Sequence, residues 1–223
     1  MNSNADCGGL GLRMLDGKGN FLPEYKRGFP SPSVAFYKIF GLSYLFPKSQ
    51  KFGRYHLGFL SEFEVNEVDV LSGAFMLLRT ETLEKVGLLD EQFFMYGEDV
   101  DLCQRVRGAG YRVCHVPMAE VVHHGGVSSA QRSSGFSQVM IREAVDVFMR
   151  IHQGKLAAFC CRCMLALSAV ARLTIVSLAW VFCRSAVRLR LEGVIAKWRL
   201  VLRWCCGAEN WASHHFVTTP RRV

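Results

Sequence analysis

The sequence predicts an α/β domain with a mixed sheet over residues 1–154, then basic, apolar helices over 155–204 and a tail over 205–223. Three observations predict it. Apolar runs of strand length alternate with stretches of helical spacing up to Gly154, and beyond it only the helical signal continues. The charge divides at the same place: residues 1–154 hold 16 Lys/Arg against 17 Asp/Glu, whereas 155–204 hold nine basic residues against Glu192 alone. Half of the 223 residues are hydrophobic, 16 of them Phe, which is enough for one sizeable core plus an appendage and too much for a disordered chain.

Gly8-Gly9-Leu10-Gly11-Leu12-Arg13-Met14-Leu15 reads as a short strand, and Asp16-Gly17-Lys18-Gly19-Asn20 as the turn after it. Its glycines fit neither GxGxxG nor a Walker pattern and no helix start follows, so a phosphate loop is not expected. Pro23, Pro30, Pro32 and Pro47 break residues 21–60 into loop, with one helix near Val34–Phe40. A binding wall and a plain surface excursion suit that composition equally. Val70 to Leu78 predicts a strand buried on both faces, in which Ser72-Gly73-Ala74 leave room for a ligand or another backbone. Thr80 is expected to cap a helix through Lys85, and Gly87 to end it.

The run Phe93-Phe94-Met95-Tyr96-Gly97-Glu98-Asp99-Val100-Asp101-Leu102-Cys103 places three acids within four residues of an expected helix start. Val100, Cys103, Val106 and Ala109 keep helical spacing, with Arg105 and Arg107 towards the far end. Two readings stand side by side. One is a charged helix N-terminus, whose free N–H groups and dipole favour carboxylates. The other is a general base at the rim of a pocket. Tyr111–Val116 alternates as a strand expected to end at Pro117, and an apolar stub then runs to His123-His124-Gly125-Gly126. One helix and one strand separate acids from histidines, enough chain to bring them to the same end of a sheet for acid–base or divalent-metal chemistry. Adjacent strand residues face opposite ways, so one of the two histidines is expected to face the site. Ser137–His152 predicts a helix with Met140, Ala144, Val147, Phe148 and Ile151 on one face.

Within 156–183, Arg162 and Arg172 limit the charge-free runs to 163–171 and 173–183. Each is short of the roughly 20 residues of a spanning helix. Paired helices lying in a membrane interface are the preferred reading, with a single membrane-spanning helix second. A basic segment this apolar points to an anionic membrane surface and away from nucleic acid. The nine cysteines form no paired CxxC units, and the N-terminus shows no basic-then-apolar leader pattern. The expectation is a cytoplasmic chain with reduced thiols, peripheral or monotopic at the cytoplasmic membrane face.

Four ordered motifs, Leu71–Arg79, Val86–Cys103, Gly110-Tyr111-Arg112 and Val122–Ser129, resemble the family 2 glycosyltransferases, and within them the rhamnosyltransferase-like members of that inverting, GT-A-fold family. The likeness covers about residues 4–155. It implies that Asp99 is the general base that deprotonates an acceptor hydroxyl, with Glu98 beside it. Ser72, Gly73 and Ala74 would line the sugar pocket, Asp101 would orient the acceptor or its loop, and His123, with His124 as the less favoured candidate, would ligate Mg²⁺ or Mn²⁺. The partners implied are a nucleotide-sugar donor and a glycan or lipid-linked acceptor in cell-surface polysaccharide synthesis, the sugar being a hexose or deoxyhexose such as rhamnose. The family's nucleotide-binding half, with its DxD metal motif, has no counterpart here, so an incomplete GT-A fold carrying the acceptor side is expected. The alternative is a catalytically incomplete, membrane-associated fragment or a partner of a separate donor-binding subunit. Asp99→Asn is expected to abolish transfer in a complete enzyme while leaving stability nearly unchanged.

Overall fold

The computed structural model describes residues 4–124, 135–182 and 185–209. They fall into two units, within Met1–Val127 and within Ser128–Val223.

The first unit is built on β1 (Cys7–Leu15), which pairs parallel with β6 (Arg112–Val122) and antiparallel with the short β5 (Leu77–Leu78). β3 (Asn66–Glu67) adds antiparallel to β6, giving a mixed sheet in the order β3-β6-β1-β5. β2 (Lys26–Arg27) and β4 (Val70–Leu71) form a second, antiparallel pair. The glycines of β1 serve packing. A Cβ on Gly8 would come within 2.7 Å of the Tyr111 Cβ, and one on Gly11 within 2.2 Å of the Tyr25 hydroxyl. The helix α4 (Glu98–Gly108) lies against β1, β4 and β6 and buries Val100, Leu102, Cys103 and Val106.

Four local expectations are corrected. The strand expected over Val70–Leu78 is two short strands, and only its first two residues are fully buried. The small side chains of Ser72-Gly73-Ala74 have little to bury, and their backbone bonds elsewhere: Ser72 N–H donates to the Tyr25 carbonyl at 2.8 Å and Phe75 N–H to the Ser72 carbonyl at 3.3 Å. β6 does not stop at Pro117 but bulges around it, Gly11 pairing with His115 and Arg13 with Glu120. A proline has no N–H for the ladder, and the bulge accommodates that. Thr80 does not cap α3 (Thr80–Val86); Arg79 holds the cap position and its side chain bonds the Cys7 and Asn4 carbonyls instead of the helix end, while Gly87 ends the helix at φ 80° as expected. The proline-rich stretch holds two helices, α1 (Pro32–Ile39), capped by Ser31 Oγ accepting from Val34 N–H, and α2 (Leu42–Leu45).

The second unit contains α5 (Phe136–His152), α6 (Lys155–Phe182) and α7 (Ser185–Cys205). α5 buries Met140, Ala144 and Phe148, whereas Ile151, expected on the same face, is exposed. Arg162 and Arg172 do not interrupt α6. The guanidinium of Arg162 lies 4.5 Å from the Trp204 ring and donates to the Trp204 carbonyl at 2.9 Å, that of Arg172 lies 4.8 Å from the Trp198 ring, and that of Arg188 lies 4.9 Å from the Trp180 ring. These pairs run in opposite directions along α6 and α7, which therefore form an antiparallel hairpin stitched by cation–π contacts. α6 is long and apolar enough, by length and composition, to cross a membrane.

Candidate active site

The backbone just before α4 is unusual: Tyr96 and Gly97 both have positive φ, 66° and 85°. Glycine accepts this freely, while for tyrosine it is an uncommon conformation that surrounding structure must hold. The double left-handed turn starts α4 abruptly and sets Glu98, Asp99 and Asp101 in its first turn.

The Asp99 side chain is largely buried. Its Oδ2 accepts from Arg27 Nη2 at 2.8 Å and from Gly73 N–H at 3.1 Å, and its Oδ1 from Val100 N–H at 2.8 Å. A carboxylate offers about four acceptor positions, so Oδ1 keeps one for a further donor. The small-residue run now has a physical role: Gly73 presents its N–H to Asp99, and a Cβ there would stand 3.5 Å from the Asp99 Cβ. Ala74 N–H donates to Ser72 Oγ at 3.3 Å, which tightens the same loop.

Glu98 differs from its neighbour. Its Oε2 is buried without a hydrogen-bond partner among the described residues. Burial raises its pKa above the ordinary glutamate value, and the nearby charge of Asp99 adds to the rise. Asp101 turns inward. Its carboxylate is almost completely buried and pairs with Arg105 at 2.7 Å, and Arg105 in turn donates to the carbonyls of Val86 at 2.6 Å and Leu88 at 2.8 Å. The geometry thus ties Asp101 to the turn after α3, and Asp101 is not among the residues lining the cavity described next.

An open cavity of about 800 Å³ is lined by Met14, Asp16, Tyr25, Ser72, His123 and His124 among others. Of the residues expected in the site, Ser72, His123 and His124 come together on this wall, and Ser72 connects it through Gly73 to Asp99. Both histidines reach the cavity although they are neighbours, because β6 ends at Val122 and strand alternation no longer applies. His124 lies against Gly17, where a Cβ would come within 2.9 Å of its Nδ1. The Mg²⁺ or Mn²⁺ implied by the resemblance does not fit the described residues as a resident ion. Among them no group of three or more His, Cys, Asp or Glu side chains is gathered to hold a metal. Two carboxylates line the wall, Asp16 and Glu24, and Asp16 is engaged by its own turn, accepting from Lys18 N–H at 2.8 Å and from Asn20 N–H at 2.9 Å.

Sequence reasoning missed the cationic side of the site. Arg27, Lys38, Tyr55 and His56 converge from β2, α1 and the short 3₁₀ turn Gly53–Tyr55. Lys38 Nζ lies 3.5 Å from the centroid of the Tyr55 ring, and the Tyr55 and His56 rings meet edge to face at 4.6 Å. Burial pushes the Tyr55 hydroxyl upward, but Lys38 and Arg27 beside it outweigh this and leave its pKa lowered. Burial, reinforced by Lys38, lowers that of His56. No motif flags these residues, because each draws its meaning from a partner distant in sequence.

Residues 43–145 match the family model described as glycosyltransferase like family 2. Over 61 residues the chain is 46% identical to the N-acetylglucosaminyl-diphospho-decaprenol L-rhamnosyltransferase of Mycobacterium tuberculosis, a stretch covering 27% of this chain and 20% of that protein. It is 42% identical over 57 residues to rhamnosyltransferase WbbL of Escherichia coli, covering 26% of this chain and 22% of that one. With the low-salt glycan biosynthesis hexosyltransferase Agl10 of Haloferax volcanii it shares 27% identity over 75 residues, 34% of this chain and 24% of the relative. The chain therefore spans between 20% and 24% of the length of these curated relatives. No solved structure matches it.

Proposed function

We propose, from the match of residues 43–145 to the family model described as glycosyltransferase like family 2, that this protein supplies the acceptor-activating side of an inverting glycosyl transfer. One observation carries the reading: Asp99, inside the matched stretch, holds its carboxylate on the backbone of the small-residue loop whose Ser72 lines the cavity. In the proposed step the acceptor hydroxyl lies against Asp99 Oδ1. Its oxygen bonds to the anomeric carbon of the donor sugar as the bond from that carbon to the nucleoside diphosphate breaks, and its proton passes to Asp99. Arg27 and Gly73 N–H fix the carboxylate through Oδ2 and leave an acceptor position on Oδ1 for the hydroxyl. Asp101, through Arg105, keeps the Val86–Leu88 turn in place beneath it.

The relatives' names support a reading in which the sugar is rhamnose or another hexose and the acceptor a lipid-diphosphate-linked sugar. The apolar helix Lys155–Phe182 and the nine basic residues of 155–204 support a reading in which the chain works at the cytoplasmic face of a membrane. The test is to incubate the full chain with nucleotide-activated rhamnose and a lipid-diphosphate-linked N-acetylglucosamine and to look for the extended glycolipid. Product that disappears in Asp99→Asn supports the reading. A second reading draws on the short span shared with the relatives: the chain is the acceptor-side partner of a separate donor-binding subunit. No product, together with no heat on titrating a nucleoside diphosphate at millimolar concentration, favours it.

A further inference from the structure

Between Glu24 and Glu62 the chain has no acidic residue, yet it carries six Lys/Arg and a high density of aromatic side chains. Four of those cations, Lys38, Lys48, Lys51 and Arg54, are exposed. Around them the apolar side chains of α1 and α2 turn outward: Phe40 is 58% exposed, Leu45 67% and Tyr44 89%. The aromatic surface is continuous. Phe36 meets Phe40 at 4.6 Å and Tyr37 at 6.0 Å, Tyr37 meets Phe52 at 5.0 Å, and Phe52 meets Phe46 at 5.7 Å. Other exposed apolar residues of this unit, such as Phe63 and Val65, lie beside Glu62, Glu64 and Glu67; here Arg54 meets Asp69 at 3.3 Å, but Lys38, Lys48 and Lys51 stand among the bare aromatics with no ion pair among the described residues.

We propose that residues 36–54 form a membrane-docking surface of the first unit, whose occupant is an anionic lipid interface. The aromatic rings enter the headgroup region, where an apolar body with a polar edge is well accommodated, and the lysines meet lipid phosphates. A protein partner of ordinary surface chemistry would be expected to bring matching carboxylates to an aromatic patch; a phosphate-rich interface satisfies rings and lysines together. The docking surface belongs to the first unit, and the proposal does not depend on the glycosyl-transfer reading.

The experiment is photo-crosslinking of the full chain to vesicles of phosphatidylglycerol doped with a diazirine-bearing phosphatidylglycerol, with adducts mapped by mass spectrometry. Adducts on residues 36–54 are expected in addition to any on 155–205. They should be far weaker with phosphatidylcholine vesicles, and should fall about fivefold for each lysine replaced in Lys38→Gln, Lys48→Gln and Lys51→Gln. Adducts confined to 155–205 overturn the proposal. So does equal labelling by neutral vesicles, which removes the anionic specification, and so does protein–protein crosslinking through 36–54 in place of lipid adducts, which makes the occupant a second copy.

Discussion

Arg27 Nη2 and Asp99 Oδ2 meet at 2.8 Å across 72 residues of chain, joining the short strand β2 to the first turn of α4. Both side chains are mostly shielded, so this is an ion pair whose disruption leaves a charge poorly solvated. The contact changes what a substitution at Asp99 should do. Asp99→Asn keeps the shape but leaves the Arg27 cation without its counter-charge, so the stability loss is about 1–2 kcal/mol, where the sequence suggested almost none. Glycosyl transfer should fall about a thousandfold, the contribution of a positioned base. Arg27→Gln separates the two effects: similar destabilisation in urea titration, with much of the transfer retained.

Asp101→Asn should cost about 2–3 kcal/mol, read from the urea midpoint. Asp101 is almost fully buried, and its partner Arg105 spends its remaining donors on the Val86 and Leu88 carbonyls. Losing the carboxylate frees the guanidinium and with it the turn after α3. Hydrogen exchange at Val86–Leu89 should quicken more than at β1.

Glu98 gives a pH prediction with a definite sign. Its folded pKa is raised above the ordinary value of 4.5, by burial first. The folded state therefore holds the proton more tightly than the unfolded chain. This stability is fully present below pH 4.5 and is lost as the pH rises through the raised folded value. Glu98→Gln cannot ionise, so its stability relative to the parent should increase as the pH rises across that window. Denaturation curves of both proteins at a series of pH values give the difference directly, and a flat difference contradicts the assignment.

Gly28→Ala tests how firmly the proline-rich stretch is fastened to the site. A Cβ there would stand 2.2 Å from the Arg54 carbonyl oxygen, and Gly28 N–H donates to the Tyr55 carbonyl at 3.0 Å. Because the obstruction is backbone, it cannot rotate away. The substitution should cost about 1–3 kcal/mol and displace Tyr55 from Arg27 and Lys38, read as a change in the tyrosine titration.

The elements most legible in the sequence are those encoded by neighbours. The glycine-rich strand β1 showed in its apolar run and following turn. The helix from Glu98 showed in its acids, its apolar spacing and its terminal arginines, and even the Asp101–Arg105 pair obeys the four-residue spacing of helix neighbours. The split of Val70–Leu78 and the passage of β6 through Pro117 were illegible, because backbone partners far along the chain decide whether an apolar run stays in a ladder.

By itself the sequence determined the change of pattern and charge after Gly154, the place of the acid cluster at a helix start, and the likeness that makes Asp99 the candidate base. These rest on periodicity, capping and motif order, which a linear chain displays openly. Only the tertiary structure decided that Arg27 and Gly73 grip Asp99, that Asp101 points inward, that His123 and His124 share one cavity wall, and that the bare aromatics of α1 and α2 lie among unopposed lysines. Those facts depend on burial and on contacts between segments distant in sequence, and no local pattern carries that information.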